Sequence, residues 1–472
     1  MDLLPMDVLR NIVKFFPEID LLSFRQVSKC CQEAASDKSL WKHTYKNASL
    51  PRPPGPYLNQ QPELLISRLT SSAKVAANWA PRVANAVSQR YVATTDHRGA
   101  DRYTALLFGR WFMITCAEGI MCYDLDKTPD VHYIVYQSTS PIRRIVCPTT
   151  FGKVGEHVAF AVIKQSLPGM SLIKIFRIDI TLPRVCFVPF AEFTRGVHDD
   201  LAFATLGQQL LAVGDRRRSQ YSMVIDVETS SLFQLPPISS QLKPGIAPSL
   251  QLASKEYIAT SAHLLVIYTT SDTLTPYSFI QVFDRPSLTD TLLELTYEGI
   301  CQTALFDCEL LYESSTETGD TRLAIIGIDR EPSRFNFIIA QLTLSPTTMG
   351  SGVQIACHRI FSLEGNPIYA STFSSQNGYA RGLCYSYGFH GPCSIGYTIS
   401  PDSSGGYHCD VQTVHFLGYS YGAVTSYPPL FFEGYTGRVC YRSATKSKSY
   451  ILEVLDFALP DLFTNDCAPA IL

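Results

Sequence analysis

From about residue 91 onward the chain consists of short runs of Val, Ile, Phe and Tyr broken by Gly, Pro, Ser and Asp, and no long helical periodicity interrupts them. Runs of this kind are strands joined by turns. Val158–Ile163, Leu172–Ile180, Leu264–Tyr268, Phe279–Asp284, Leu323–Asp329 and Phe335–Leu344 are the clearest. A recurrence links them. An apolar run ends in Asp and turns at Asp124, Asp179, Asp226, Asp284, Asp329 and Asp456, at spacings of 45 to 58 residues and then across a gap about twice as long. Asp suits such a place, because its carboxylate accepts hydrogen bonds from nearby backbone N–H groups. The long gap leaves room for one degenerate unit near residues 383–400. An all-β unit repeated about every fifty residues reads as a propeller blade, a four-stranded sheet. Residues 91–472 hold about seven. No kelch or WD signature is legible, so period and composition carry this reading, with a pair of β-sandwiches or an irregular β-rich body as the alternative.

Residues 1–50 follow another pattern. Val8, Ile12 and Phe15/Phe16 recur at helical spacing and Pro17 stops that helix. Asp20 is the expected N-cap of a second short helix, Ser28 of a third, and Asp37 or Ser36 of a fourth carrying Leu40, Trp41 and Tyr45. So many apolar residues cannot all be buried within fifty. A partner or the rest of the chain must cover the surplus.

Residues 51–90 connect the two parts. Pro51-Arg52-Pro53-Pro54-Gly55-Pro56 reads as a stiff extended linker. Glu63 to Trp79 reads as a helix with Leu65, Leu69 and Ala73 or Ala76 along one face, ending before Pro81.

The head resembles the F-box. Leu4-Pro5-Met6-Asp7-Val8-Leu9 is similar to the family's opening Leu-Pro-x-Glu-Ile/Val-Leu, with Asp7 in place of Glu. Asp20 to Lys29 is similar to its middle, and Ala34 to Trp41 to its Leu-Trp end. Cys31 departs from the pattern, standing where the family often has an aromatic residue, which would loosen the internal packing. The resemblance implies a helical module that packs on a Skp-type adaptor and, through it, a cullin. The contacts it implies are Leu4, Pro5, Val8, Leu9, Ile12, Leu21, Leu22 and Val27, with Trp41 fixing the module internally. Many fungal F-box proteins also carry a helix ending in Asn-Trp before their C-terminal domain, as Asn78-Trp79 does here. A rigid helix there would help hold a target lysine near the transferred ubiquitin.

The 472 residues are 46% hydrophobic and 17% charged, with a net charge of −3, a folded composition without the basic excess of a nucleic-acid binder. Asp2 and Asp7 sit where a signal peptide would be basic, and no run of about 18 apolar residues marks a membrane helix. The 14 cysteines are expected to be reduced thiols in the cytoplasm or nucleus. Gly418-Tyr419-Ser420-Tyr421-Gly422 matches the G-x-S-x-G elbow of hydrolases, but Pro428-Pro429 follows where a helix should start and no His follows Ser420. Cys30, Cys31, Cys384, His390, Cys393, His408, Cys409 and His415 do not form the paired spacing of a zinc site. Gly405-Gly406 reads as a turn, and Arg216-Arg217-Arg218 as a hairpin tip that could meet an acidic or phosphorylated segment.

The expected fold class is thus α+β multidomain: a small all-α F-box at 1–50, a linker and helix at 51–90, and a large all-β domain at 91–472. The expected function is substrate receptor of a Skp–cullin–F-box ubiquitin ligase, without catalytic residues, cofactor or metal, recruiting an unidentified protein. The alternatives are an adaptor-bound scaffold acting outside ubiquitin transfer, or a divergent propeller enzyme.

Overall fold

Each apolar run is followed, after a turn, by another that returns alongside it, so the strands pair antiparallel in chain order. The computed structural model describes residues 4–52, 56, 61–80, 83–93, 103–126, 132–151, 157–179, 184–196, 203–207, 209–214, 223–235, 252–270, 277–285, 293–317, 319–331, 334–345, 353–364, 366–374, 378–388, 391–415, 429–443 and 451–458. Its strands make seven sheets: blade 1 (104–137), blade 2 (142–196), blade 3 (203–234), blade 4 (252–301), blade 5 (306–364), blade 6 (366–415) and blade 7 (429–456). The first strands of successive blades touch one another from blade 1 through blade 7 and back to blade 1. This is a closed seven-bladed β-propeller with each first strand at the centre.

Side chains alternate across each strand, so every sheet feeds the seam before it and the seam after it. In strand His263–Thr270, Leu264, Val266 and Tyr268 pack with blade 3, while Leu265 and Ile267 pack with blade 5. Burial on both faces explains why the strands read as continuous apolar runs. Among the described residues, seven apolar clusters fill the seven seams.

Blade 7 draws on both ends of the propeller's sequence. Its outer strand Ser88–Ala93 pairs antiparallel with Ile451–Asp456, with Ser88 opposite Asp456 and Ala93 opposite Ile451. Strand Val83–Asn85 adds in parallel to the outer strand of blade 6, Tyr407–His415. The propeller's sheets therefore reach back to Val83. Arg438 fastens the closure. Its Nε donates to Asp456 at 2.7 Å, and its Nη1 donates to blade 1, to Asp126 at 2.9 Å and to the Gly109 carbonyl at 2.5 Å. Burial pulls the Arg438 pKa down, but the carboxylates of Asp456 and Asp126 outweigh it and hold the guanidinium firmly charged. Arg285 links blades 4 and 3 in a similar way, donating to Asp226 at 2.7 Å and Glu228 at 2.9 Å.

Asp124, Asp179, Asp226, Asp284 and Asp456 end the third strands of blades 1, 2, 3, 4 and 7. Asp226 does so as turn chemistry requires, its Oδ1 accepting from the N–H of Glu228 at 2.9 Å and Thr229 at 3.1 Å. Asp329 is out of phase, since it lies in the second strand of blade 5, Thr321–Glu331. The degenerate unit is blade 6, and its equivalent carboxylate is Asp402, directly after strand Gly391–Pro401. Asp402 accepts from the N–H of Ser404 and of Gly406, both at 2.8 Å. Pro401, the last residue of that strand, hides it from a search for apolar runs ending in Asp. The same turn holds Gly405 at φ +84, so Gly405-Gly406 is the turn expected of it.

Ahead of the propeller stand five helices: α1 (Met6–Val13), α2 (Glu18–Phe24), α3 (Lys29–Ala34), α4 (Lys38–Asn47) and α5 (Pro62–Trp79). Ser28 caps α3, accepting from the Cys31 N–H at 3.2 Å, and Asp37 caps α4, accepting from the Ser39 N–H at 2.7 Å. Asp20 is not a cap. The fixed φ and missing N–H of Pro17 suit a helix entrance, so α2 starts at Glu18 and leaves Asp20 in its first turn.

Replacing Arg438 by Met should destabilise the fold by about 3 kcal/mol, because Asp456 and Asp126 lose their shared cation. Chemical denaturation measures this. An unchanged midpoint would mean that strand pairing alone holds the ring closed.

Candidate functional site

Helix α1 is apolar on two faces. Leu9 and Val13 lie four residues apart and face the helical core, where Leu21, Leu22, Phe24, Cys31, Leu40, Trp41 and Tyr45 are also buried. Val8 and Ile12, at the same spacing on another stripe, and Leu4 just before the helix are each at least 40% exposed. Pro5 is exposed too, as are Ile19 and Val27, and Phe15 is 86% exposed. Of the residues the sequence nominated for docking, Leu4, Pro5, Val8, Ile12 and Val27 therefore stand at the surface. Leu9, Leu21 and Leu22 do not; they are at most 3% exposed, inside the module's own core. Phe15 and Ile19 were missed. Phe15 follows the end of α1 and Ile19 lies in α2, so no single helical spacing links them to Val8 and Ile12.

The core behind this stripe is firmly built. Trp41 is fully buried and donates from Nε1 to the Ala35 carbonyl at 2.6 Å, the internal role expected of it. Cys31 is buried beside it. Phe16 turns inward and meets Phe24 edge-on at 5.4 Å, while neighbouring Phe15 turns out. Glu18 accepts from the Ser49 N–H at 2.9 Å, tying the start of α2 to the segment after α4.

Arg52 corrects the picture of a plain Pro-rich spacer. It is 4% exposed, and its guanidinium donates to the carbonyls of Tyr45, Lys46, Ala48 and Leu50 at 2.6–3.0 Å. The end of α4 leaves carbonyls without helical partners, and a planar cation with five donors suits them. Ser72 on α5 also donates to the Pro51 carbonyl, so the start of this segment is pinned from both sides. Residues 53–55 and 57–60 lie outside the described residues.

Helix α5 joins head to propeller. Leu65, Leu69 and Ala73 belong to the head's core, whereas Val75 and Trp79 fill the seam between blades 6 and 7. Trp79 stacks on Phe432 with centroids 5.5 Å apart and meets Phe457 edge-on at 6.3 Å. Two glycines make room: a Cβ on Gly396 would lie 2.7 Å from the Trp79 ring, and one on Gly437 would lie 2.7 Å from Val75. Asn78 uses donor and acceptor together. Its Nδ2 donates to the carbonyls of Asn85 at 2.7 Å and Phe457 at 2.8 Å, and its Oδ1 accepts from the Asn85 N–H at 3.3 Å. The Asn-Trp pair is thus the joint itself.

Around the joint are buried charges. Arg381 of blade 6 lies 5.7 Å from the Trp79 ring and donates to the Gly434 carbonyl at 2.7 Å. Burial pulls its pKa down to about 9, against the attraction of Glu433. Burial pushes the Glu433 carboxyl up to about 7, although Thr436 donates to it from its backbone N–H. Gly437 lies against Val75, so α5 meets blade 7 at the turn after its first strand. That turn marks the propeller face on which the head sits. The fourth strands of the blades end at the opposite face.

The folded chain keeps the Glu433 proton where the unfolded chain has released it. Stability should therefore fall as pH rises from the ordinary 4.5 to about 7, then level off. Glu433→Gln should remove this slope, at most about 1.4 kcal/mol per pH unit. Parallel stability curves for the two proteins would place the effect elsewhere.

Among the described residues no group of three or more His, Cys, Asp or Glu could hold a metal ion, and no helix is long and apolar enough to cross a membrane. Ser420 and its glycines, Arg216-Arg217-Arg218, and the side chains of Cys393 and His415 lie outside what is described.

No curated protein matches the chain. Solved structures with likeness to it include the β-propeller domain of Vanderwaltozyma polyspora Nup133, at 10% identity, covering 78% of this chain and 97% of that one, with a TM-score of 0.38. The Chaetomium thermophilum Nup170 NTD–Nup53 complex matches at 10% identity over 83% of this chain and 67% of that one, with a TM-score of 0.41. Residues 1–43 match the F-box domain. Given the capped helices, the internal Trp41 and the ring of blades behind them, this chain is an F-box protein whose F-box is followed by a seven-bladed β-propeller.

Proposed function

We propose that this chain is a substrate receptor of a Skp–cullin–F-box ubiquitin ligase. An F-box joined to a propeller is the layout of a substrate-recognition adaptor, and F-box domains generally bind Skp-type adaptors. The observation that carries the reading is the exposed stripe Leu4, Val8 and Ile12, with Pro5, Phe15, Ile19 and Val27, on a head whose own core is already filled. Apolar side chains left outside a packed core mark a docking surface. The adaptor would cover this stripe and bring the cullin with it. Leu9, Leu21 and Leu22 would act indirectly, by holding α1 and α2 in place.

The propeller would recruit the target protein on the face away from the head. Loops on a rigid scaffold are where recognition concentrates. The seam-filling helix α5 would then set the distance between target and transferred ubiquitin, a proximity effect in which the chain supplies geometry and its partners supply chemistry. A non-catalytic role fits the F-box, a domain typical of non-catalytic ligase subunits. Its place of action would be the cytoplasm or nucleus.

Binding of the full chain to a purified Skp-type adaptor tests this. Val8→Asp/Ile12→Asp should keep the thermal midpoint, since both sites are exposed, yet weaken binding at least about a hundredfold, or about 2.7 kcal/mol. Equal binding by both proteins would move the adaptor's contact off this stripe, and none by the wild type would remove the adaptor role. If adaptor binds but cullin fails to join and the target's turnover is unchanged, the scaffold reading takes its place.

A further inference from the structure

The outer strands of blades 4 and 5, Leu295–Cys301 and Val353–Glu364, run unusually close together. Gly299 permits it, since a Cβ there would lie 2.8 Å from the Ile355 side chain. At this approach the Sγ atoms of Cys301 and Cys357 stand 2.8 Å apart, both as free thiols. They sit in one apolar cluster with Tyr297, Val353 and Ile355, which leaves neither side chain much room to turn away. Cys301 is 1% exposed and Cys357 is more open to solvent.

We propose that Cys301 and Cys357 are a redox modification site, closing to a reversible disulfide that bolts blade 4 to blade 5. The two cysteines belong to different sheets, so the bond would cross the seam between blades 4 and 5 at its outer edge. Hydrogen peroxide, small enough to reach a buried thiol, is the oxidant class that fits. The Cys301 thiolate attacks one peroxide oxygen, the O–O bond breaks, and hydroxide leaves with a proton as water. The resulting sulfenic acid is attacked by the Cys357 sulfur; the S–S bond forms, the S–OH bond breaks, and hydroxide takes the Cys357 proton as a second water. Two thiols are oxidised and one peroxide is reduced to two waters.

The surroundings favour this order. The Cys357 S–H against Cys301 lowers the Cys301 pKa, burial opposes the shift, and the Thr303 N–H assists it. Giving its hydrogen bond to Cys301 raises Cys357, and burial adds to the rise. At other buried thiols burial wins: it pushes Cys122 up to about 12 against a hydrogen bond with Tyr133, and Cys440 up to about 12 against the charges of Arg438 and Arg90. The thiolate is the nucleophile, so Cys301 should react ahead of them.

The full chain treated with stepwise hydrogen peroxide, alkylated and digested provides the test, because the wild type needs no substitution. The expected result is a cross-linked peptide pair joining Cys301 to Cys357, formed before any other cysteine product and reversed by dithiothreitol. The thermal midpoint should rise with it, since a crossing bond restricts the unfolded chain, and the rise should be lost in Cys357→Ser. The proposal is overturned if Cys301 and Cys357 remain fully alkylatable, if another pair forms first, or if either is oxidised to a sulfinic acid without cross-linking. Adaptor binding through the head is read separately and does not depend on the outcome.

Discussion

Everything downstream of the head depends on how one seam is filled. Six of the seven seams are apolar contacts between two sheets, but the seam between blades 6 and 7 is completed by Val75 and Trp79 from a helix. The indole is held on several sides at once, by the stacked Phe432, the edge-on Phe457, the guanidinium of Arg381 and the missing Cβ of Gly396. A side chain held in this way has no alternative rotamer to move to. The helix that carries it is also part of the head's core, so the two parts share one rigid element instead of a tether.

The sequence made the architecture legible because each blade repeats apolar runs that satisfy two seams, broken in blades 1, 3 and 6 by an Asp that bonds its own backbone. The same rule misled at one point. Asp329 met the pattern from the second strand of its blade, while Asp402 in blade 6 was masked by Pro401. A regularity in turn chemistry reports that a strand ends, without reporting which strand it is.

The candidate site was half legible for a related reason. Helical spacing shows that α1 is apolar on two stripes, Leu9 with Val13 and Leu4 with Val8 and Ile12, but it does not say which stripe faces inward. Packing of α2, α3 and α5 decides that. Ser28, Asp37 and Trp41 could be read directly, since caps and a buried indole depend on residues only a few positions away. Arg52 could not. In a run of prolines it looks like a solvated linker residue, and its role appears only when the carbonyls at the end of α4 are seen to converge on it.

The closing strand Ser88–Ala93 has a consequence for how the molecule comes into being. It emerges from the ribosome long before its partner Ile451–Asp456, and α5 likewise precedes Phe432 and Phe457 by several hundred residues. Until the last blade is made, the helix has no seam to enter and the ring has no outer edge to complete. The head can fold early on its own core, but it gains a fixed bearing on the propeller only at the end of synthesis. A truncated product would carry the exposed stripe on a loose arm, and only a finished chain presents it at a defined distance from the far face of the propeller.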